Sequence, residues 1–156
     1  NKKKFQKLGV SVYTKKELDF VLNKYDIDLV NLPVSVANQE FCQNSYLKKL
    51  KKKGITIHVR SIFLQGLLLS SYINLPKKFK NNKFFLQWFK WLKIKDYKSL
   101  DASVCFIKSI NYIDKIVIGV NELSQLKEIV KSYKKNLNMK FIKFKQTVIL
   151  RQPSKW

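Results

Sequence analysis

Apolar and polar residues follow first a strand-like and then a helix-like period at the start of the chain. The apolar segment Phe5–Tyr13 predicts a short strand, and residues 14–17 after it form a capping box, a threonine and a glutamate that together close the start of a helix. The predicted helix covers Lys15–Lys24, and its apolar side chains recur at helical spacing. One face of this helix is therefore suited to lie on a sheet.

The same order of strand and helix recurs along the rest of the chain. Further strands are predicted at Ile27–Val34, Ile55–Phe63 and Ile113–Val120, which are rich in apolar and β-branched residues. Helices are predicted around Phe41–Lys52 and Glu122–Lys134. Strands that alternate with helices form parallel βαβ units, because two parallel strands need a crossover between them. The predicted fold class is therefore α/β.

The crossover between the third and fourth strands is the longest. It begins with a predicted loop, Leu67–Lys80, and continues with two predicted helices, Asn82–Lys93 and Leu100–Ile110. The first of these helices carries large apolar side chains that we interpret as packing residues and not as a ligand site: Phe84, Phe85, Trp88, Phe89, Trp91 and Leu92. The tail, Phe141–Trp156, shows no clear element.

Composition changes this picture only in one respect, the charge. The 156 residues are 46% hydrophobic, which suits one folded domain and excludes a disordered chain, yet the formal net charge is +22. Only Arg60 and Arg151 are arginines, and the lysines are dispersed along the chain, so no single nucleic-acid groove is implied. One explanation of this charge is genome composition, because Lys, Asn and Ile are all abundant here and all have A/T-rich codons. The alternative explanation is a weak, salt-sensitive association with nucleic acid or anionic surfaces.

Cysteines and termini bear on where the protein resides. Cys42 and Cys105 lie in apolar stretches without metal-ligand spacing, so we expect neither a disulfide framework nor a metal site. No apolar run is long enough for a membrane span, and no signal peptide is visible, so a cytoplasmic protein is predicted. The chain begins with Asn1, close to a strand, which suggests one partial domain, residues 1–156, cut from a longer polypeptide.

Four segments, in chain order, resemble the second half of the aldo/keto reductase barrel. LGVSVYTKKEL (Leu8–Leu18) resembles the fifth strand of that family, and DIDLVNLPVS (Asp26–Ser35) resembles the sixth. HVRSIFLQGLLL (His58–Leu69) is similar to the seventh strand and the loop that folds over the cofactor, and IDKIVIGVNELSQLKEIV (Ile113–Val130) to the eighth strand and its helix. A complete (β/α)8 TIM barrel needs about 250 residues, so this chain would form the carboxy-terminal half.

The resemblance implies an oxidoreductase that uses NADP, with NAD as the open alternative. Ser11 and Asn31 would bind the nicotinamide carboxamide, and Arg60 replaces the aromatic residue that commonly stacks on the nicotinamide ring. Asn31 is one methylene shorter than the glutamine usual in the family. The other implied cofactor-binding residues would lie along the pyrophosphate, at the start of the last helix, and by the adenine: Ser61, Phe63, Gln65 and Gly66; Gly119, Val120 and Asn121; and Gln125 and Glu128.

The catalytic Asp, Tyr, Lys and His of the family belong to its first four strands, so we nominate no catalytic residue and no metal ligand here. The parent would be an enzyme acting on a small carbonyl or alcohol, with the missing amino-terminal half as partner, and this fragment alone would be inactive. His58 receives no role, and Asp26, Asp28 and Asp114 are interpreted as turn and cap residues on the opposite rim. Two alternatives stay open: a non-catalytic half-barrel for binding or assembly, and a basic α/β domain associated with nucleic acid.

Overall fold

Four parallel strands form the sheet of this protein in a computed structural model that describes residues 5–151 and Trp156. They are β1 (Gly9–Ser11), β2 (Leu29–Pro33), β3 (Thr56–Arg60) and β4 (Lys115–Ile116). Their order in the sheet is β1-β2-β3-β4, the same as their order in the chain. The four predicted strands are therefore confirmed, each shorter than its apolar segment.

The consecutive strand order distinguishes a barrel segment from a doubly wound sheet. Crossovers between parallel strands are right-handed. When each new strand pairs along the same edge of the sheet, every crossover helix therefore lies on the same face. A doubly wound sheet needs a reversal of strand order and has helices on both faces. The observed order is that of consecutive strands of a (β/α)8 barrel, as the sequence predicts.

Six α-helices lie in the part of the chain that the structure describes. They are α1 (Lys15–Leu22), α2 (Tyr46–Lys52), α3 (Lys77–Lys80), α4 (Lys83–Lys95), α5 (Ser99–Lys108) and α6 (Leu123–Lys134), with 3-10 turns at Glu40–Ser45 and Val148–Arg151. The predicted capping box is present at α1, where Thr14 Oγ1 accepts from the Glu17 amide and Glu17 Oε2 accepts from the Thr14 amide. None of these helices is long and apolar enough to cross a membrane.

Two of the predicted elements differ from those observed. The single helix predicted over Phe41–Lys52 is a 3-10 turn followed by α2, because Ser45 takes a left-handed conformation (φ 55°) that interrupts the helix. The predicted loop Leu67–Lys80 ends in the short helix α3, which starts directly after Pro76. Proline fixes its own φ near the helical value, so it can begin a helix as well as end one.

The two faces of the sheet differ in burial. Val30, Leu32, Ile57 and Val59 are fully buried. With the exception of Pro33 at the end of β2, which is buried, the residues that alternate with them are only half-buried. Strand side chains alternate between faces, so one face packs on the helices and the other is open within the described chain. The open face corresponds to the interior of a complete barrel.

The long crossover packs as an aromatic cluster behind the loop after β3. Phe84, Phe85 and Trp88 are fully buried, which confirms their predicted packing role. The ring of Phe144, from the tail, lies 5.7 Å from the Trp88 ring, and Trp88 Nε1 donates to the Leu68 carbonyl at 3.2 Å. The aromatic cluster therefore fixes the loop that leaves the carboxyl end of β3.

Candidate functional site

The carboxyl ends of β1, β2 and β3 bring polar side chains together on the open face of the sheet. Ser11 lies in register with Asn31, and Asn31 with His58. Arg60 is two residues beyond His58 on β3, so its side chain lies on the same face. In a complete barrel these residues would lie inside the barrel, at its mouth, the opening at the carboxyl ends of the strands.

Arg60 reaches across β2 to the end of β1. Its Nε donates to Ser11 Oγ at 3.3 Å, and its Nη2 donates to the Val12 carbonyl at 3.2 Å. The guanidinium lies 4.4 Å from the centre of the Tyr13 ring, a cation–π contact, and Nη1 is 3.5 Å from Ser61 Oγ. Arg60 thus links the carboxyl end of β3 to that of β1, and all of its hydrogen-bond partners are neutral groups.

Asn31, beneath this arginine, has an unsatisfied polar atom. Its Oδ1 is buried and has no hydrogen-bond partner in the described chain. Buried acceptors without a partner are uncommon, because each loses its hydration without compensation. A ligand amide or another donor at this point would satisfy it.

The loop after β3 has an unusual backbone. Leu64, Gln65 and Gly66 are consecutive left-handed residues with φ of 50°, 52° and 85°, and Ser61 before them has φ of 58°. Left-handed conformations cost free energy for residues other than glycine and persist where surrounding contacts enforce them. Leu64 is buried and anchors the loop, while Gln65 is exposed. The loop is therefore held in one preset shape beside the strand ends.

The start of α6 carries a glutamate, Glu122, at its N-cap position. The sequence placed Gly119, Val120 and Asn121 at the start of the helix, but α6 begins at Leu123, and these three residues lie in the segment between β4 and α6. Its N-cap residue makes no side-chain cap to the first turn. Gln125 Oε1 instead accepts from the Asn121 amide at 3.0 Å. The Glu122 carboxylate accepts from Ser124 Oγ at 3.0 Å, so a negative charge already lies beside the uncapped first amide groups of α6.

A single groove of about 670 Å³ joins the end of β3, its loop and the start of α6. This volume lies within the range typical of small-molecule and cofactor pockets, about 300–1,000 Å³. Ten of the twelve residues predicted from the sequence line it: Arg60, Ser61, Phe63, Gln65, Gly66, Gly119, Val120, Asn121, Gln125 and Glu128. Segments separated by more than fifty residues in the chain therefore meet in one cavity.

Ser11 and Asn31 do not line this groove. Ser11 is joined to it through its hydrogen bond to Arg60, and Asn31 lies next to Ser11 in the sheet register. These two residues therefore lie beside the β3 end of the groove, on the open face of the sheet.

Three further residues contact Arg60 or line the groove and were not predicted from the sequence. Tyr13 supports the Arg60 guanidinium, and its position just beyond β1 could have indicated this. Leu100 enters the groove from α5, and Ile129 from α6, one helical turn after Gln125. Leu100 could not be found from sequence, because only the folding of the long crossover brings α5 to the groove.

Four titratable groups with displaced pKa values lie outside the groove lining. Burial raises the pKa of the Cys42 thiol to about 11, and burial together with a hydrogen bond to Asp19 raises the pKa of Tyr46. Partial burial opposes ionisation of Asp101 and Asp114, but hydrogen bonds from Lys135 and Ser132, and from the Ile57 amide and Lys51, outweigh it and lower the pKa of each carboxyl. These shifts belong to contacts that stabilise the fold.

The chain matches no protein-family model and no curated protein sequence. It does match solved structures. The aldo-keto reductase AKR11C1 from Bacillus halodurans gives a TM-score of 0.61 at 14% identity in its holo form, with 86% of this chain and 46% of that chain covered. Its apo form also gives 0.61 at 14% identity, with 94% and 48% covered.

A second aldo-keto reductase, the thermostable Tm1743 solved with the inhibitor epalrestat, gives a TM-score of 0.55 at 15% identity, with 85% of this chain and 44% of that chain covered. At such low identity the likeness shows the fold and no more. This chain has the fold of part of an aldo-keto reductase barrel, as its motifs predicted. It spans about half the length of the solved structures it resembles.

Proposed function

We propose that this chain is the carboxy-terminal half of an NADP-dependent oxidoreductase of aldo/keto reductase type, and that its groove holds the cofactor. The parent would reduce a small carbonyl compound or oxidise an alcohol. The nicotinamide ring supplies the hydride chemistry when bound, and the residues of this half hold and orient it. Alone, this half would bind without catalysing, since it carries no residue that we nominate as catalytic.

The convergence of the predicted residues carries the proposal. They were selected by motif order in two distant stretches, residues 60–66 and 119–128, and both stretches line one groove at the carboxyl ends of the strands. In (β/α)8 barrels, functional groups lie at these strand ends whatever the reaction. A groove unrelated to these motifs would not be expected to be lined by residues from both stretches.

The residues present fit a nicotinamide dinucleotide. The unsatisfied Asn31 Oδ1 is an acceptor suited to the amide N–H of a carboxamide, and the Ser11 hydroxyl keeps a donor while it accepts from Arg60. The first amide groups of α6 carry no side-chain cap and could bind a phosphate, against the repulsion of the Glu122 carboxylate. Gly66 lacks a side chain, so a pyrophosphate could approach its backbone.

The open edges of the sheet favour a second half of the barrel as partner. β1 and β4 are each paired on one side only within the described chain. Next to β4, α6 exposes large apolar side chains, with Leu123 64%, Leu126 37% and Val130 43% exposed. Unpaired strand edges and exposed apolar faces are liabilities that a neighbouring element normally covers. Four further βα units would cover both and would supply the catalytic residues.

A groove-blocking substitution tests cofactor binding. Gly119 has no heavy atom within 4 Å of an added Cβ and has no left-handed φ, so Gly119→Leu should fold normally and place a side chain in the groove. We expect NADPH to bind to the full reading frame that contains these 156 residues, and Gly119→Leu to weaken binding at least tenfold by calorimetric titration. NADH serves as the comparison ligand for the choice of cofactor.

Asn136→Leu, an exposed position after α6, is the matched control and should bind like the unaltered protein. The net charge of +22 attracts any polyanion, so the titrations are repeated at higher salt, where lysine-mediated attraction weakens. If neither cofactor binds, or if Gly119→Leu and Asn136→Leu bind alike, the groove is not the cofactor site.

A further inference from the structure

Arg60 is a cation without a counterion among the residues that the structure describes. The ion pairs in residues 5–151 involve Asp114, Asp101 and Glu40, and none includes Arg60. The eight residues outside the described part contain no Asp or Glu. Every group that accepts a hydrogen bond from the guanidinium is a hydroxyl or a carbonyl. The positive charge at the mouth is therefore fixed in position but not neutralised.

Arg60 lies at one end of the groove. Its side chain points towards β1, away from β4 and α6, as its bonds to Ser11 and Val12 show. The acidic residue of the groove lining, Glu128, lies on α6. A dinucleotide whose adenosine phosphates lie at the start of α6 would therefore bring its other end, the nicotinamide, to Arg60.

We propose that Arg60 makes the nicotinamide end of the groove discriminate by charge, so that the site binds the reduced cofactor more tightly than the oxidised one. The inference rests on the proposed function, because it presumes that the groove holds a nicotinamide cofactor. The oxidised ring carries one positive charge and the reduced ring is neutral. A guanidinium held beside the ring repels the first and not the second.

The geometry makes this repulsion effective. All three guanidinium nitrogen atoms of Arg60 donate hydrogen bonds and Cζ lies 4.4 Å from the centre of the Tyr13 ring, so the cation cannot move away without losing these contacts. Like charges at about 4 Å repel appreciably even at the effective dielectric of a protein surface. The lysines that dominate the net charge act on the phosphates, which both cofactor forms share, so their effect cancels in the ratio of the two affinities.

The experiment measures that ratio. NADPH and NADP+ are titrated into the full reading frame and into Arg60→Met, which removes the charge and keeps an apolar chain of similar length. We expect the preference for NADPH over NADP+ to fall by about tenfold in Arg60→Met, mainly through tighter binding of NADP+. Because both ligands are measured on the same variant, partial loss of folding changes both affinities and leaves the ratio intact.

Two further variants serve as matched controls. Arg60→Lys keeps the charge and should keep most of the preference. Arg151→Met removes the same charge from the other arginine, which pairs with Glu40 and does not line the groove, and should leave the ratio unchanged. Equal ratios in Arg60→Met and the unaltered protein overturn the inference while the proposed function stands. Binding of neither cofactor form overturns both.

Discussion

The two ends of the parallel strands differ in how completely their polar groups are paired. At the amino ends, Asp28 Oδ2 accepts from the Leu8 amide at 2.8 Å, and Asp114 Oδ2 accepts from the Ile57 amide at 2.7 Å. Asp114 also forms an ion pair with Lys51 at 2.8 Å. The predicted position of Asp28 and Asp114 on this rim is confirmed, but both bind amides of a neighbouring strand and do not cap their own turns. At this rim the aspartate carboxylates have hydrogen-bond or ion-pair partners.

The carboxyl ends hold the opposite arrangement. Arg60 has no counterion in the described chain, Asn31 Oδ1 has no partner, and the loop after β3 keeps Leu64 and Gln65 in left-handed conformations. Unpaired charge, an unpaired acceptor and backbone strain all lower stability unless a ligand compensates for them. One rim is therefore paired and the other holds unpaired groups, and the proposed cofactor site uses the second rim, where (β/α)8 barrels generally place their functional groups.

Asp114→Ala should break the amino rim and produce the largest effect on stability. It leaves the Ile57 amide without its acceptor and removes the partner of Lys51, so we expect a loss of about 2 kcal/mol in the free energy of unfolding. Most of this comes from the amide, because the ion pair is partly exposed. Urea unfolding measures it, and cofactor affinity should not change.

Acid provides the check on this first prediction. The folded state lowers the pKa of Asp114, so its carboxylate stabilises the fold above the ordinary aspartate value of about 4, and this contribution is lost as the pH falls through the lowered pKa. The stability difference between the unaltered protein and Asp114→Ala should therefore shrink from pH 7 to about pH 2. A difference that stays constant would mean that ionisation of Asp114 has no part in it.

A pair of glycine substitutions compares the rims at equal backbone cost. Gly66, in the groove loop, has φ of 85°, and Gly54, just before β3, has φ of 76°; neither has an atom within 4 Å of an added Cβ. Alanine at either position should cost about 1 kcal/mol through backbone strain alone. We expect only Gly66→Ala also to weaken NADPH binding. Equal affinities in the two variants would count against a role for the loop in binding.

Asn31→Leu should have the smallest effect on stability and a clear one on binding. Leucine has a similar shape and removes an acceptor that has no partner, so the free energy of unfolding should change by less than about 0.5 kcal/mol. NADPH affinity should fall about three- to tenfold, the worth of one hydrogen bond. Loss of stability with unaltered binding would show that Asn31 serves the fold.

Local patterns predicted much of this structure because they depend on neighbouring residues. The capping box of α1, the apolar segments of β2 and β3, and the aromatic face of α4 each result from side chains a few positions apart. The break at Ser45 and the left-handed turn at Leu64 were not predictable, since neither residue favours such a backbone by itself. Packing around them imposes it.

The order of strands and helices, the α/β class and the motifs of half a barrel were determined by sequence alone, since hydrophobic periodicity and short motifs are local properties. Only the tertiary structure decided that Arg60 crosses β2 to meet Ser11 and Tyr13, and that Leu100 enters the groove from α5. These contacts join residues far apart in the chain. Their partners are chosen by how strands and crossovers pack, which no short stretch of sequence encodes.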